Sequence, residues 1–199
     1  GGAELVKATP GRSVHRMRLA GSDVYLKRHR MRGPTERIKY ALRRSRARSE
    51  WRSARSLAAA GIPCAPALAM AERRRGPWLS DALYLALAVP GQRFDLFAAE
   101  LRAKGIDLRP LLTEAVALHR RLLSAGFVHP DLHEGNLIAR IEGGRPRIAL
   151  VDLHALRRRR SALGLLLWRH WLRRAEAKLA HALSLLLRPE ELAYALAEL

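Results

Sequence analysis

A chain of 199 residues that is 49% hydrophobic can bury one substantial core, or two small lobes sharing a cleft, without covalent staples. Its one cysteine, Cys64, excludes an intramolecular disulfide, lacks partners at thiolate-metal spacing, and points to a reducing, cytoplasmic setting. The formal net charge of +19 attracts polyanions: nucleic acid is the default partner of so basic a chain, anionic lipid head groups and phosphorylated glycolipids meet the same electrostatic requirement, and a solvated basic surface without a specific ligand is the plainer reading.

The first residues, GGAELVKATPGRS, carry no apolar core behind their charge and do not read as a signal peptide. SVHRMRLAG and SDVYLKRHR alternate with a period near two around Gly21, which predicts a hairpin. That alternation sets Val24, Leu26 and Arg28 on one face and Tyr25, Lys27 and His29 on the other, so Lys27 can point into a cleft. From Thr35 to Ala60 the pattern becomes helical, with Trp51, Ala54, Leu57 and Ala58 at helical spacing, and Gly61 followed by Pro63 stops it. Two short strands follow, PALAMAERR and DALYLALAV, joined by the turn-forming RGPWLS, and PGQ reads as a linker. Helices are predicted near Asp95 to Lys104 and Pro110 to Ser124, then a hairpin NLIARIEGGRPRIALVDLH turning at Gly143 and Gly144. Everything beyond Leu156 reads as helix, with a second segment opened by Pro189 and Glu190; the most apolar run, SALGLLLW from Ser161, is cut by Arg169 and His170 before membrane-spanning length.

The charge is unevenly spread. Lys27, Arg28, Arg30, Arg32, Arg37, Lys39, Arg43, Arg44, Arg46, Arg48, Arg52 and Arg55 face only Glu36 and Glu50 as acids in their stretch, and Arg157 to Arg160 form a second cluster with Arg169, Arg173 and Arg174. Trp168 and Trp171 stand beside that cluster, either as packing residues or as anchors of an interfacial helix in anionic lipid.

The stretch GFVHPDLHEGNLIA holds the most chemistry. His129-x-Asp131, with Asn136 five positions after the Asp, matches the H-x-D-x-x-x-x-N spacing of a kinase catalytic loop, and Asp152 follows on the far strand of a hairpin. Phosphoryl transfer needs a carboxylate that orients the attacking hydroxyl and accepts its proton; an amide and a second carboxylate hold magnesium against the phosphates. Upstream, Glu50 is the single acid in a run of the helix otherwise made of Arg, Ser, Ala and Trp, suited to pair with Lys27 and fix it on the α- and β-phosphates; the plainer reading is a surface ion pair with a neighbouring Arg. A competing chemistry is metal hydrolysis, in which His129, Asp131, His133, Asp152 and His154 would cage zinc or two metals, but it leaves Lys27, Glu50 and Asn136 without a part. In the kinase reading His129 holds the loop backbone, while His154, His119, His170 and His181 read as surface or core residues.

Through VYLKRHR, SEWRSARSLAAAGIPCAPAL, HPDLHEGNL and IALVDLHALR, from about Val14 to Leu156, the chain resembles the lipopolysaccharide core kinases, the group phosphorylating heptose or Kdo sugars within the protein-kinase-like superfamily. The resemblance implies an α+β, two-lobed protein-kinase-like fold with a small, truncated helical C-lobe: residues 1–90 as an ATP-binding N-lobe and 91–199 as the C-lobe. It implies ATP and Mg2+ as cofactors, Asp131 as catalytic base, Lys27 and Glu50 as the phosphate-binding pair, and Asn136 and Asp152 as metal ligands. Gly11, the only glycine of KATPGRSVH, would mark the phosphate loop, and Ala88 and Val89, in the stretch up to Gly91, would meet adenine through backbone groups.

Departures from the protein-kinase pattern bear on the acceptor. Asp152-Leu153-His154 stands where protein kinases have D-F-G, and no activation segment ending in A-P-E follows, which favours a compact acceptor such as a sugar. HPDLHEGN also matches the HxDLHxGN of aminoglycoside- and choline-kinase-like enzymes, so a small-molecule kinase is the alternative; a silent kinase-like module binding anionic lipid or nucleic acid is a third reading. The expected partner is lipopolysaccharide core or another anionic glycolipid, met by peripheral contact at the cytoplasmic face of the inner membrane, with nucleic acid the poorer fit.

Overall fold

The structure, a computed structural model, describes residues 2–159 and 162–197; Arg160 and Ser161, which end and begin two of the stretches quoted above, lie outside the described residues. The chain divides into two compact units, Gly1–Ala59 with Ala65–Val89, and Ala60–Cys64 with Pro90–Leu199.

In the first unit, β1 (Glu4–Thr9), β2 (Arg12–Leu19), β3 (Ser22–Arg30), β4 (Ala67–Arg75) and β5 (Trp78–Leu87) form one antiparallel sheet in the order β1-β2-β3-β5-β4. The hairpin predicted at Gly21 is the β2–β3 pair, in which Val14 lies opposite Lys27. β1 is an edge strand with every residue exposed, so it buries no alternating face that could announce it. The helix expected over Thr35 to Ala60 is two: α1 (Pro34–Leu42) and α2 (Arg46–Ala59). The break is made at Arg43, which turns extended (φ −125°, ψ 157°), and at buried Ser45, whose hydroxyl accepts the Arg48 N–H at 3.0 Å and donates to Glu72 at 2.6 Å. Ala47 of α2 packs on Leu79, Ala82, Tyr84 and Ala86, the inward positions of β5, so the helix lies against the sheet's central strands.

The second unit begins with the short β6 (Gln92–Arg93), which pairs with β8 (Leu137–Glu142), itself paired with β9 (Arg145–Leu150). Gly91 has φ +126°, and a Cβ there would collide with the carbonyl oxygen of Ala139, so the PGQ stretch needs glycine for a close backbone approach. Gly143 and Gly144, at φ 57° and 75°, make the β8–β9 turn where it was predicted. α3 (Phe94–Ala103) and α4 (Arg109–Ser124) fall within a residue of their predicted starts; Leu111, Leu112, Ala115, Leu118 and Leu122 of α4 form the core. Residues 60–64 join this unit because Leu150 donates its N–H to the Pro63 carbonyl at 3.0 Å and Cys64 bridges Leu150 in parallel.

Beyond Leu156 the chain is not all helix. β10 (Arg157–Arg158) pairs with β7 (Phe127–Val128), and the Arg158 guanidinium stands 5.5 Å over the Phe127 ring; two-residue strands carry no period to read. α5 (Ala162–Leu186) and α6 (Pro189–Ala197) follow. Among the described residues no helix is long and apolar enough to cross a membrane.

His119 of α4 is buried among leucines, and neither ring nitrogen has a hydrogen-bond partner among the described residues, so burial holds its proton affinity below the ordinary histidine value. The unfolded chain then binds more protons than the folded one below about 6.5, so stability falls as pH drops through that range and is full above it. In urea titrations the unfolding midpoint is expected to fall between neutral pH and pH ~5, and His119→Leu is expected to flatten that fall. An unchanged slope in the variant would remove His119 from this role.

Candidate active site

Lys27 lies mid-strand in β3, opposite Val14 and Tyr84, its ammonium 5.9 Å from the Tyr84 ring centre. It makes an ion pair with Glu50 of α2, and only 13% of the lysine side chain and 3% of the glutamate side chain reach solvent. Glu50 is therefore not a surface partner for a neighbouring Arg. Its burial is tolerable because the cation is there to meet it. On the opposite face of β3, Arg28 grips buried Asp81 at 2.5 Å, which anchors the strand to β5 and holds the Arg28 guanidinium charged.

The two weaker nucleotide candidates of this unit are placed by backbone. Gly11 turns β1 into β2 at φ +79°; its carbonyl accepts the Arg30 N–H at 2.8 Å, and a side chain there would press on the Arg30 carbonyl. Ala88 spends its N–H on the Asp23 carbonyl at 2.9 Å, so of the pair Ala88 and Val89 only Val89 can offer an N–H to a base edge.

In the second unit, β7 ends at Val128 and β8 begins at Leu137, and the loop between them carries His129, Asp131, His133 and Asn136. His129 is fully enclosed, its Nε2 3.2 Å from the Asp152 carbonyl; burial lowers its proton affinity, so the neutral ring donates to that carbonyl and ties the loop to the end of the β8–β9 hairpin. Asn136 is buried, donates its amide N–H to the Asp131 carbonyl at 2.8 Å, and accepts the Val151 N–H at 2.9 Å through its own carbonyl. These bonds bring Asp131, Asn136 and Asp152 together, as their spacing around a hairpin suggests.

Asp152 sits in the left-handed region (φ 56°, ψ 59°), rare for a residue with a side chain and tolerated best by Asp and Asn. Such backbone concentrates at functional positions. Its carboxylate accepts the His154 ring Nδ1–H at 2.7 Å, so His154, expected as a surface or core residue, instead orients a candidate metal ligand. Only the D-x-H spacing in the tight turn after Asp152 could have signalled it. His133 in turn accepts the Gly135 N–H at 3.1 Å, and a Cβ at Gly135 would press on that ring at 2.9 Å, which accounts for glycine in HEGN.

The Asp131 carboxylate is half-exposed, with His133 Nε2 3.9 Å from Oδ2 and Lys178 Nζ of α5 3.8 Å from Oδ1. Lys178 stands far along the chain, and nothing in its neighbourhood marks it beforehand. Among the described residues no group of three or more His, Cys, Asp or Glu is arranged to hold a metal ion, so the zinc or dimetal cage finds no geometry. With the Asn136 amide nitrogen committed to the Asp131 carbonyl, its amide oxygen is left as a hard oxygen donor, and the Asp152 carboxylate is another, the donor types that magnesium takes.

The family model for the lipopolysaccharide kinase (Kdo/WaaP) family matches residues 5–163 of this chain. Among solved structures, that of WaaP in complex with acyl carrier protein superposes with a TM-score of 0.74 at 20% identity, covering 99% of this chain and 78% of that one. At that identity the likeness establishes the fold, a kinase-like α+β architecture with a sheet-rich N-terminal part. Comparison with curated proteins finds no match.

Proposed function

Because the chain belongs to the lipopolysaccharide kinase (Kdo/WaaP) family, we propose that it transfers the γ-phosphoryl group of ATP to a heptose or Kdo hydroxyl of the lipopolysaccharide core. One observation carries the reading: Asp131 and Asn136 are locked together in a loop that His129 ties to Asp152, inside the stretch the family model matches. Asp131 orients the sugar hydroxyl and takes its proton as the new P–O bond forms. Asn136 and Asp152 would hold magnesium, which when bound screens the phosphate charge. Lys27, held by Glu50, binds the α- and β-phosphates; the Val89 N–H meets adenine; the turn at Gly11 covers the phosphates through backbone groups.

The excess charge recruits the acceptor. Arg43, Arg44 and Arg46 are exposed at the α1–α2 junction, and Arg157 and Arg159 stack over Trp171 and Trp168 at 5.7 Å and 5.8 Å, an arrangement suited to anionic head groups at a membrane surface. Attraction of this kind is screened over about 8 Å at 0.15 M salt. The acceptor KM is therefore expected to rise steeply from low to physiological salt while the ATP KM, set by contacts at Lys27, changes much less. Reversing charge at Arg43, Arg44 and Arg46 reproduces the acceptor effect without salt. Acceptor kinetics that stay flat or improve as salt rises would instead assign the chain to small neutral or cationic acceptors of the aminoglycoside or choline kind.

A further inference from the structure

Lys178 lies outside the stretch that carries the family match. α5 turns Ala175, Leu179 and Leu183 into the core at a spacing of four and packs against the single turn Glu134–Asn136 that closes the loop. Lys178 flanks that buried face and so reaches the loop, with Nζ 3.8 Å from Asp131 Oδ1. The contact is longer than a hydrogen bond, and with half of each side chain in solvent it contributes little to stability. It leaves the Asp131 oxygen its lone pairs for an incoming hydroxyl. Between His129 and Asn136 the loop supplies no Lys or Arg of its own, and among the described residues Lys178 brings a full positive charge to this carboxylate from outside the loop.

We propose, resting on the kinase reading above, that Lys178 is a further catalytic residue that binds a non-bridging oxygen of the γ-phosphoryl group during transfer. A hydroxyl accepted by Asp131 stands about 2.8 Å from its carboxylate. Phosphorus then lies about 3–3.5 Å from that hydroxyl. An exposed, flexible ammonium already beside the same carboxylate needs only a rotamer change to reach the phosphoryl oxygens. As the acceptor oxygen bonds to phosphorus its proton passes to Asp131, the bond from phosphorus to the β–γ bridging oxygen breaks, and ADP leaves with the electron pair. Lys178 stays protonated throughout and holds the charge of the group in flight.

The test compares the full chain with Lys178→Met and Lys178→Arg, using ADP and the non-hydrolysable β,γ-imido analogue of ATP in calorimetric titrations, and kcat with a glycolipid acceptor. Lys178→Met is expected to weaken the analogue about fivefold or more with ADP affinity nearly unchanged, and to lower kcat about 10- to 100-fold; Lys178→Arg recovers most of both. Equal losses for ADP and analogue, or an unchanged ratio and kcat, overturn the proposal. Absence of transfer to any acceptor by the unmodified chain would overturn the proposed function, while the ADP-to-analogue ratio would still decide whether Lys178 meets the γ-phosphoryl group.

Discussion

Asp131→Asn is expected to leave nucleotide affinity nearly unchanged and to lower phosphoryl transfer at least about a hundredfold, because proton acceptance and hydroxyl orientation by a positioned carboxylate contribute on the order of 10²–10⁴. The substitution keeps the shape of a half-exposed side chain whose structural bond, from Asn136, is made to the backbone carbonyl and survives it. The fold and the candidate ligands Asn136 and Asp152 are therefore expected to stay in place, with the loss falling on kcat. Single-turnover kinetics with saturating ATP read this directly. Turnover within a few-fold of the unmodified chain would remove Asp131 as the base.

Lys27→Met carries the second large effect, and it falls on two quantities at once. The variant is expected to lose ATP affinity by at least about tenfold, since a charge-assisted contact to phosphate is removed. It also strips a 3%-exposed carboxylate of its principal cation, and breaking a buried pair from one side costs about 3–5 kcal/mol. The double variant Lys27→Met with Glu50→Leu separates the two, because replacing both members of a buried pair by apolar groups is close to neutral for stability. Urea unfolding is expected to return near the starting midpoint in the double variant while ATP affinity stays low. Recovery of ATP binding in the double variant would mean that Lys27 serves the fold and not the nucleotide.

Much of this arrangement was legible because its constraints are local. A period of two places Lys27 on its face of β3, and the five-residue step from Asp131 to Asn136 is the reach of one amide N–H back to one carbonyl. The hairpin that returns Asp152 announces itself by two adjacent glycines. What escaped is set by contacts that sequence spacing does not encode. Ser45 ends the run-on helix because Glu72, on β4, and the Arg48 N–H both find its hydroxyl. β1 escaped because an edge strand exposed on both faces has no hydrophobic pattern. His154 is recognisable only once Asp152 takes a left-handed backbone and turns its carboxylate toward the ring, and Lys178 only once α5 is laid against the catalytic loop. The spacing of the candidate loop residues was thus readable at short range, whereas their contacts with His154 and Lys178 are made by the fold.

Whether this chain phosphorylates a sugar of the lipopolysaccharide core is decided by one incubation. The full chain, γ-labelled ATP and magnesium are offered dephosphorylated core glycolipid in parallel with choline and an aminoglycoside, and the labelled product is mapped by mass spectrometry. Label is expected on a heptose or Kdo hydroxyl of the glycolipid, and none with Asp131→Asn. Label on the choline or aminoglycoside hydroxyl alone, or none on any acceptor while ATP binds, would contradict it.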